Sequence, residues 1–63
     1  METLEETISA AEAAKRLQIS KPTVLRLIKA GEIRAYHIAG AYRVPPDAIQ
    51  EYIERSRVGE WKE

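Results

Sequence analysis

Two helix-start signals stand close together near the beginning of the chain, and their spacing constrains the fold more than any other feature. The first is Ser9-Ala10-Ala11-Glu12, a Ser-x-x-Glu box in which each side chain satisfies an otherwise unpaired backbone N–H. The second is Ser20-Lys21-Pro22, a serine N-cap followed by a proline in the first turn, where a missing N–H costs nothing. Ala10, Ala13, Ala14 and Leu17 line one face of the first helix, and their small size lets a second helix approach closely. This helix is expected to end at Leu17 or Gln18. The second helix places Val24, Leu27 and Ile28 at i, i+3 and i+4, and Gly31 is its expected left-handed cap. Two helices joined by so short a turn must pack on each other.

Beyond Gly31 the pattern changes. Ile33 to Val44 is rich in β-branched and aromatic residues and is broken at Ala39-Gly40, which predicts a hairpin with Gly40 supplying a positive φ. Its register is left open by the sequence. Pro45-Pro46 closes the strand, Pro46-Asp47 opens a third helix, and Ala48, Ile49, Tyr52 and Ile53 form that helix's expected buried stripe. Residues 1–7 are expected to be a loosely ordered acidic lead-in, with Leu4 tucking down. Residues 8–55 are the expected domain and residues 56–63 a flexible tail, in which the place of Trp61 is undecided. The fold expected is mainly α with a small β-hairpin, a winged helix-turn-helix in the order α-α-β-β-α. The spacing supports the order: Ala14, the turn residue Gln18 and Val24 stand where a helix-turn-helix needs a small residue, a turn and a buried aliphatic. Ala13, Leu17, Ile19 and Leu27 fill its other buried positions.

Sixty-three residues make one small domain, near the lower limit for a single hydrophobic core. There is no cysteine and one histidine, His37, so no metal site or cofactor is expected. No nucleophile–base pair or glycine-rich phosphate loop suggests an enzyme or a small-molecule substrate. Apolar runs are short, so no leader or membrane span is expected, and a cytoplasmic, nucleoid-associated protein of bacterial or phage type is anticipated. The formal net charge is zero, but its distribution is uneven. Residues 1–8 carry −3, residues 9–44 carry +5 and residues 45–63 carry −2. A basic centre between acidic ends allows an anionic partner for the centre.

The stretch from Ser9 to Ile53 resembles the excisionase-like branch of the MerR-type winged helix-turn-helix DNA-binding domains. Ser9, Glu12, Ala14, Leu17, Ile19-Ser20, Thr23-Val24, Arg26, Ile28, Gly31, Gly40, Tyr42-Arg43 and the helix from Pro46 to Ile53 carry the resemblance. It implies that the second helix enters the major groove and the hairpin wing lies on the backbone or minor groove. Three positions depart from the family pattern: Gln18 replaces glycine, Ala39-Gly40-Ala41 replaces Gly-Gly-Arg, and Leu25 replaces an aromatic residue.

Helical geometry assigns roles to the second helix. The direction opposite Val24, Leu27 and Ile28 runs through Pro22, Arg26 and Lys29, with Leu25 on the flank. Ser20, Lys21, Pro22 and Thr23 form the N-terminal end, where helix-turn-helix proteins meet bases and where a phosphate is favoured. Arg26 suits the bidentate contact to guanine and Leu25 a thymine methyl group. Lys21 and Lys29 suit phosphates. On the wing, Arg34, Tyr42 and Arg43 are candidates for the sugar-phosphate backbone, with pairing to Glu32 or an acid of the third helix an equal alternative for Arg43. Tyr36 and Tyr42 are also expected in cross-strand packing, and His37 is expected to be exposed or half-packed. The expected partner is double-stranded DNA, bound by a monomer, a homo-oligomer or a cooperative array. Transcription regulation, excision of phage or transposon DNA, and protein docking through the same surfaces are the competing roles.

Overall fold

The computed structural model describes residues 6–58. Along them run strand β1 (Ile8–Ser9), helix α1 (Ala10–Leu17), helix α2 (Lys21–Lys29), strands β2 (Tyr36–Ile38) and β3 (Ala41–Val44), and helix α3 (Pro46–Arg55). The three helices and the hairpin agree with the sequence reading, and β1 is an addition to it. The first five residues of the lead-in, with Leu4, and the tail from residue 59, with Trp61, lie outside the described residues.

Alanine, the residue with the highest helix propensity, supplies half of α1. The Ser9 hydroxyl accepts the Glu12 N–H at 3.1 Å, as the box predicts. The Glu12 carboxylate does not return to Ser9; it pairs with Arg16 one turn on, at 3.5 Å. At the other end, Gln18 takes φ 59 and ψ 40, the left-handed region. Its N–H donates to the Lys15 carbonyl at 3.2 Å, and the Ile19 N–H donates to the Ala14 carbonyl at 3.0 Å. This is the Schellman closure. The end of α2 repeats it: Gly31 has φ 81, its N–H donates to Ile28, and the Glu32 N–H donates to Leu27. The same reversal therefore uses glycine after α2 and glutamine after α1.

The core is small-featured. Ala10, Ala13, Ala14, Val24, Ile33, Val44, Ala48 and Ile49 form one buried cluster. Ala13, Val24 and Val44 have no exposed surface. Around it pack Ile8, Leu17, Ile19, Leu25, Leu27, Ile28, Ala35, Tyr42 and Tyr52.

The sheet is antiparallel in the order β1-β3-β2. Ile8 stands opposite Val44 and Ser9 opposite Arg43. Across the hairpin, Tyr36 pairs with Arg43, His37 with Tyr42 and Ile38 with Ala41. Side chains alternate between faces, so Val44, Tyr42, Ile8 and His37 share one face, on which Val44 is buried, Tyr42 and Ile8 pack against the core and His37 is exposed. The two-residue turn has φ 52 at Ala39 and φ 79 at Gly40. Positive φ at both central residues marks a type I′ turn, whose twist matches the flanking strands. Gly40 was anticipated there; the left-handed Ala39 was not.

Helix α3 begins after the buried Pro45, which caps it without a side-chain hydrogen bond. Ala48 and Ile49 are buried and Tyr52 half-buried. Ile53, expected in the same stripe, is instead 44% exposed. It lies a turn beyond Ile49, where the core has already ended, and Tyr52 covers the rim. Two polar contacts tie α3 to the segment after α2. Arg34 pairs with Glu51 at 3.2 Å, and the Arg55 guanidinium donates to the Glu32 carbonyl. Among the described residues no helix is long and apolar enough to cross a membrane.

Left-handed backbone costs a residue with a Cβ about 1 kcal/mol or more. Replacing Gln18 or Ala39 by glycine is therefore expected to stabilise the domain by about 1 kcal/mol at each site. In a domain this size that raises the melting temperature by about 4–8 °C. Thermal denaturation followed by circular dichroism checks this, and unchanged or lower melting temperatures would contradict the account of these turns.

Candidate nucleic-acid interface

The burial of Val24 sets the rotation of α2 about its own axis. With Val24 inward, Pro22, Arg26 and Lys29 come out on the opposite side, and all three are exposed, as is Lys21. Thr23 and Leu25 are half-buried on the flanks. The Ser20 hydroxyl accepts the Thr23 N–H at 3.3 Å and lies 2.8 Å from the Thr23 hydroxyl. These two side chains therefore cap the helix that carries the exposed cations.

A groove of about 300 Å³ runs between the N-terminal half of α2 and the wing. It is lined by Lys21 and Leu25 from α2, Gly40, Ala41 and Tyr42 from the hairpin, and Ser9, Ala10 and Ala11 from the start of α1. Tyr42 is stacked on His37, with ring centroids 4.3 Å apart and an interplanar angle of 14°. The cross-strand packing expected of Tyr42 is thus present, and the same side chain lines the groove. Lys21, Leu25 and Tyr42 thus line one groove, and Ser20, Pro22, Thr23, Arg26 and Lys29 lie on the same helix or its cap.

The two remaining candidates are turned elsewhere. Arg34 reaches α3 through Glu51. Arg43 is half-buried and engages the chain just before β1: its Nε donates to the Thr7 hydroxyl and its terminal NH2 to the Thr7 carbonyl, both at 3.0 Å. That corrects the pairing with Glu32 or an acid of the third helix considered for Arg43, since the Thr7 oxygens hold its fork. Thr7 is itself 6% exposed. The sequence carried a faint signal for this arrangement in the β-branched pair Thr7-Ile8. Two residues are too few to separate a strand from a loop by pattern.

The electrostatics follow from these contacts. Arg16, Arg34, Arg43 and Arg55 each hold a partner within the fold. Among the described residues Lys21, Arg26 and Lys29 form no ion pair. Among the described residues, then, no acidic side chain pairs with the exposed cations of α2. The acidic residues Asp47, Glu51 and Glu54 lie together on α3, around a separate depression that Gln50 and Arg55 complete.

The helix pair, the turn and the groove beside the wing define a winged helix-turn-helix domain. The family model described as "Helix-turn-helix domain" matches residues 7–57, and the chain belongs to this excisionase-like family. "Uncharacterized protein Rv2310" of Mycobacterium tuberculosis is 41% identical over 51 residues, covering 81% of this chain and 45% of that protein. "Uncharacterized protein Mb2337" of Mycobacterium bovis matches to the same extent. "Putative DNA-binding protein Rv0500A" of Mycobacterium tuberculosis is 35% identical over 49 residues, covering 78% of this chain and 63% of that protein. The chain thus spans about half the length of the first of these relatives. No solved structure matches it significantly.

Removing the Arg43 fork deletes two hydrogen bonds from a charged donor in a part-buried setting. Arg43→Ala is expected to lower stability by about 1–3 kcal/mol. Arg43→Lys should restore little of this, because a point-charge ammonium lacks the fork that holds both Thr7 oxygens. Thr7→Val, which loses the hydroxyl alone, should cost less than Arg43→Ala. Urea denaturation of the three variants measures the order, and a fully stable Arg43→Ala would refute the clamp.

Proposed function

We propose that the chain binds double-stranded DNA sequence-specifically, with α2 in the major groove and the hairpin wing along the backbone, in the service of transcription regulation. The observation that carries this reading is the exposed face of α2. Among the described residues its Lys21, Arg26 and Lys29 form no ion pair, while Arg16, Arg34, Arg43 and Arg55 are engaged. Membership of the helix-turn-helix family supports the reading, as does a relative named for DNA binding.

The roles divide by chemistry. Arg26 lies at the centre of the exposed face and presents a planar fork, which fits guanine O6 and N7 and discriminates by roughly 1–3 kcal/mol. Leu25, half-buried at the groove edge, offers an apolar surface to a thymine methyl group. Lys21 and Lys29 bracket the helix and hold phosphates, which set position without reading sequence. Pro22 and the Ser20–Thr23 cap bring the first turn of the helix close to the duplex. The Tyr42 hydroxyl adds a contact from the wing side of the groove. Arg34 and Arg43 act from behind, fixing α3 and the wing.

With those two arginines engaged elsewhere and Arg26 on a base, one copy of the domain holds phosphates through Lys21 and Lys29. The logarithm of affinity is then expected to fall with the logarithm of salt with a slope of about −2. Selection of bound duplexes from a random pool, followed by binding measurements on the selected site and on unrelated DNA, tests the assignment. Arg26→Ala should lose about 1–3 kcal/mol on the selected site and little on unrelated DNA. Lys29→Ala should weaken both alike and make the salt slope shallower by about 0.9. Equal losses from Arg26→Ala on both duplexes would remove its base-reading role. Absence of binding to any duplex would remove the function. A bend centred on the selected site, seen in circularly permuted fragments, would favour the excisionase role over simple regulation.

A further inference from the structure

The wing poses a chemical problem if it is to lie along a phosphate backbone. Its tip, Ala39-Gly40-Ala41, is uncharged. From Tyr36 to Val44 just two side chains can carry positive charge, His37 and Arg43. Arg43 is spent on Thr7. That leaves His37.

Its setting suits the task. His37 is exposed, and strand register puts it directly across from Tyr42, on the same face of the hairpin. The stack at 4.3 Å holds the imidazole nearly flat against the phenol ring, and the residue remains exposed. Through Tyr42 this pair borders the groove whose other wall is Lys21 and Leu25. A cation over an aromatic face is attracted by the ring quadrupole, so protonation does not break the stack. The ionisable groups on the surrounding elements are Tyr42 and Arg43 on β3, Tyr36 on β2 and Lys21 on α2. Among the described residues no carboxylate is bonded to the imidazole.

Building on the DNA-binding reading above, we propose that His37, braced by Tyr42, is the wing's phosphate contact, and that its imidazolium form makes the domain hold duplex DNA more tightly as the pH falls. The neutral ring donates one N–H. The protonated ring has two N–H donors and a charge to place on a phosphate oxygen. Binding a phosphate favours the protonated ring, so affinity and proton uptake rise together. His37 is the single histidine of the chain. Imidazole is also the side chain whose charge ordinarily changes between about pH 5 and 8. Substituting this one residue therefore isolates the imidazole's share of any pH step.

The test uses a mixed-sequence duplex, since a phosphate contact needs no particular site. Affinity is measured across a salt series at about pH 5.5 and about pH 7.5. The wild-type chain is expected to bind roughly two- to fivefold more tightly at the lower pH, as for a solvent-exposed ion pair. Its salt slope should be steeper there by up to about 0.9, one phosphate contact. His37→Ala should lose both the pH step and the change in slope. His37→Arg should hold the acid-form affinity and slope at both pH values. A histidine that only packs the wing would instead give an equal loss at both pH values with His37→Ala, and His37→Arg would not rescue it. Thermal denaturation confirms that each variant is folded. If His37→Ala does not fold, the disappearance of the pH step in His37→Arg decides. Wild-type binding that is flat in pH, or a pH step that survives in His37→Ala, overturns the wing assignment and leaves DNA binding by α2 standing. No binding of wild-type protein to the duplex at either pH overturns both.

Discussion

The seating of Val24 in the alanine-lined face of α1 is the contact on which the other features depend. Ala13 and Ala14 carry single methyl groups, so α2 approaches closely and Val24 is enclosed completely. Once that side chain is fixed, helical geometry leaves no freedom over which residues face outward. Pro22, Arg26 and Lys29 are exposed because Val24 is not. A bulkier residue at Ala13 or Ala14 would move α2 as a body, and with it one wall of the groove beside the wing. Core packing and the direction of charge are thus one constraint seen from two sides.

Two left-handed residues without the freedom of glycine border this surface, Gln18 in the turn between the helices and Ala39 at the wing tip. Both turns nevertheless form, because neighbouring contacts over-determine them. The Gln18 turn is closed by two backbone hydrogen bonds and brings Ile19 onto the core. The Ala39 turn joins strands whose three residue pairs set its geometry. Local preference conflicts with the fold at these points, and the tertiary structure prevails. In a domain with so small a core such conflicts take a large share of a narrow stability margin.

The helices were legible in the sequence because their signals are local. Ser9, Ser20 and Gly31 act within a turn of their own position, and the structure uses each as the sequence implies. The Gln18 turn was legible in place, while its positive φ is seen in the structure. What escaped the sequence was contact between distant segments. Strand β1 exists because residues far along the chain, Arg43 and Val44, are there to pair with it. The sequence likewise supplied Arg43 as a cation but not the Thr7 oxygens that occupy it. Ile53 matched the helical period and still lies in solvent, since period cannot say where a core ends. The exposed face of α2 was readable residue by residue, whereas the groove needed the wing's position, which no local pattern supplies.

The clamp between Arg43 and Thr7 makes the two ends of the domain mechanically unlike. Chain entering at Thr7 is stitched directly to β3, so a tug on that side is felt first by the wing. Chain leaving after α3 is coupled through Arg55 and the Arg34–Glu51 pair to the segment that follows α2. Tension there loads the frame of the helix pair. Cargo fused to one end or to the other would therefore pull on different parts of the molecule, and the domain would transmit the two loads along separate routes.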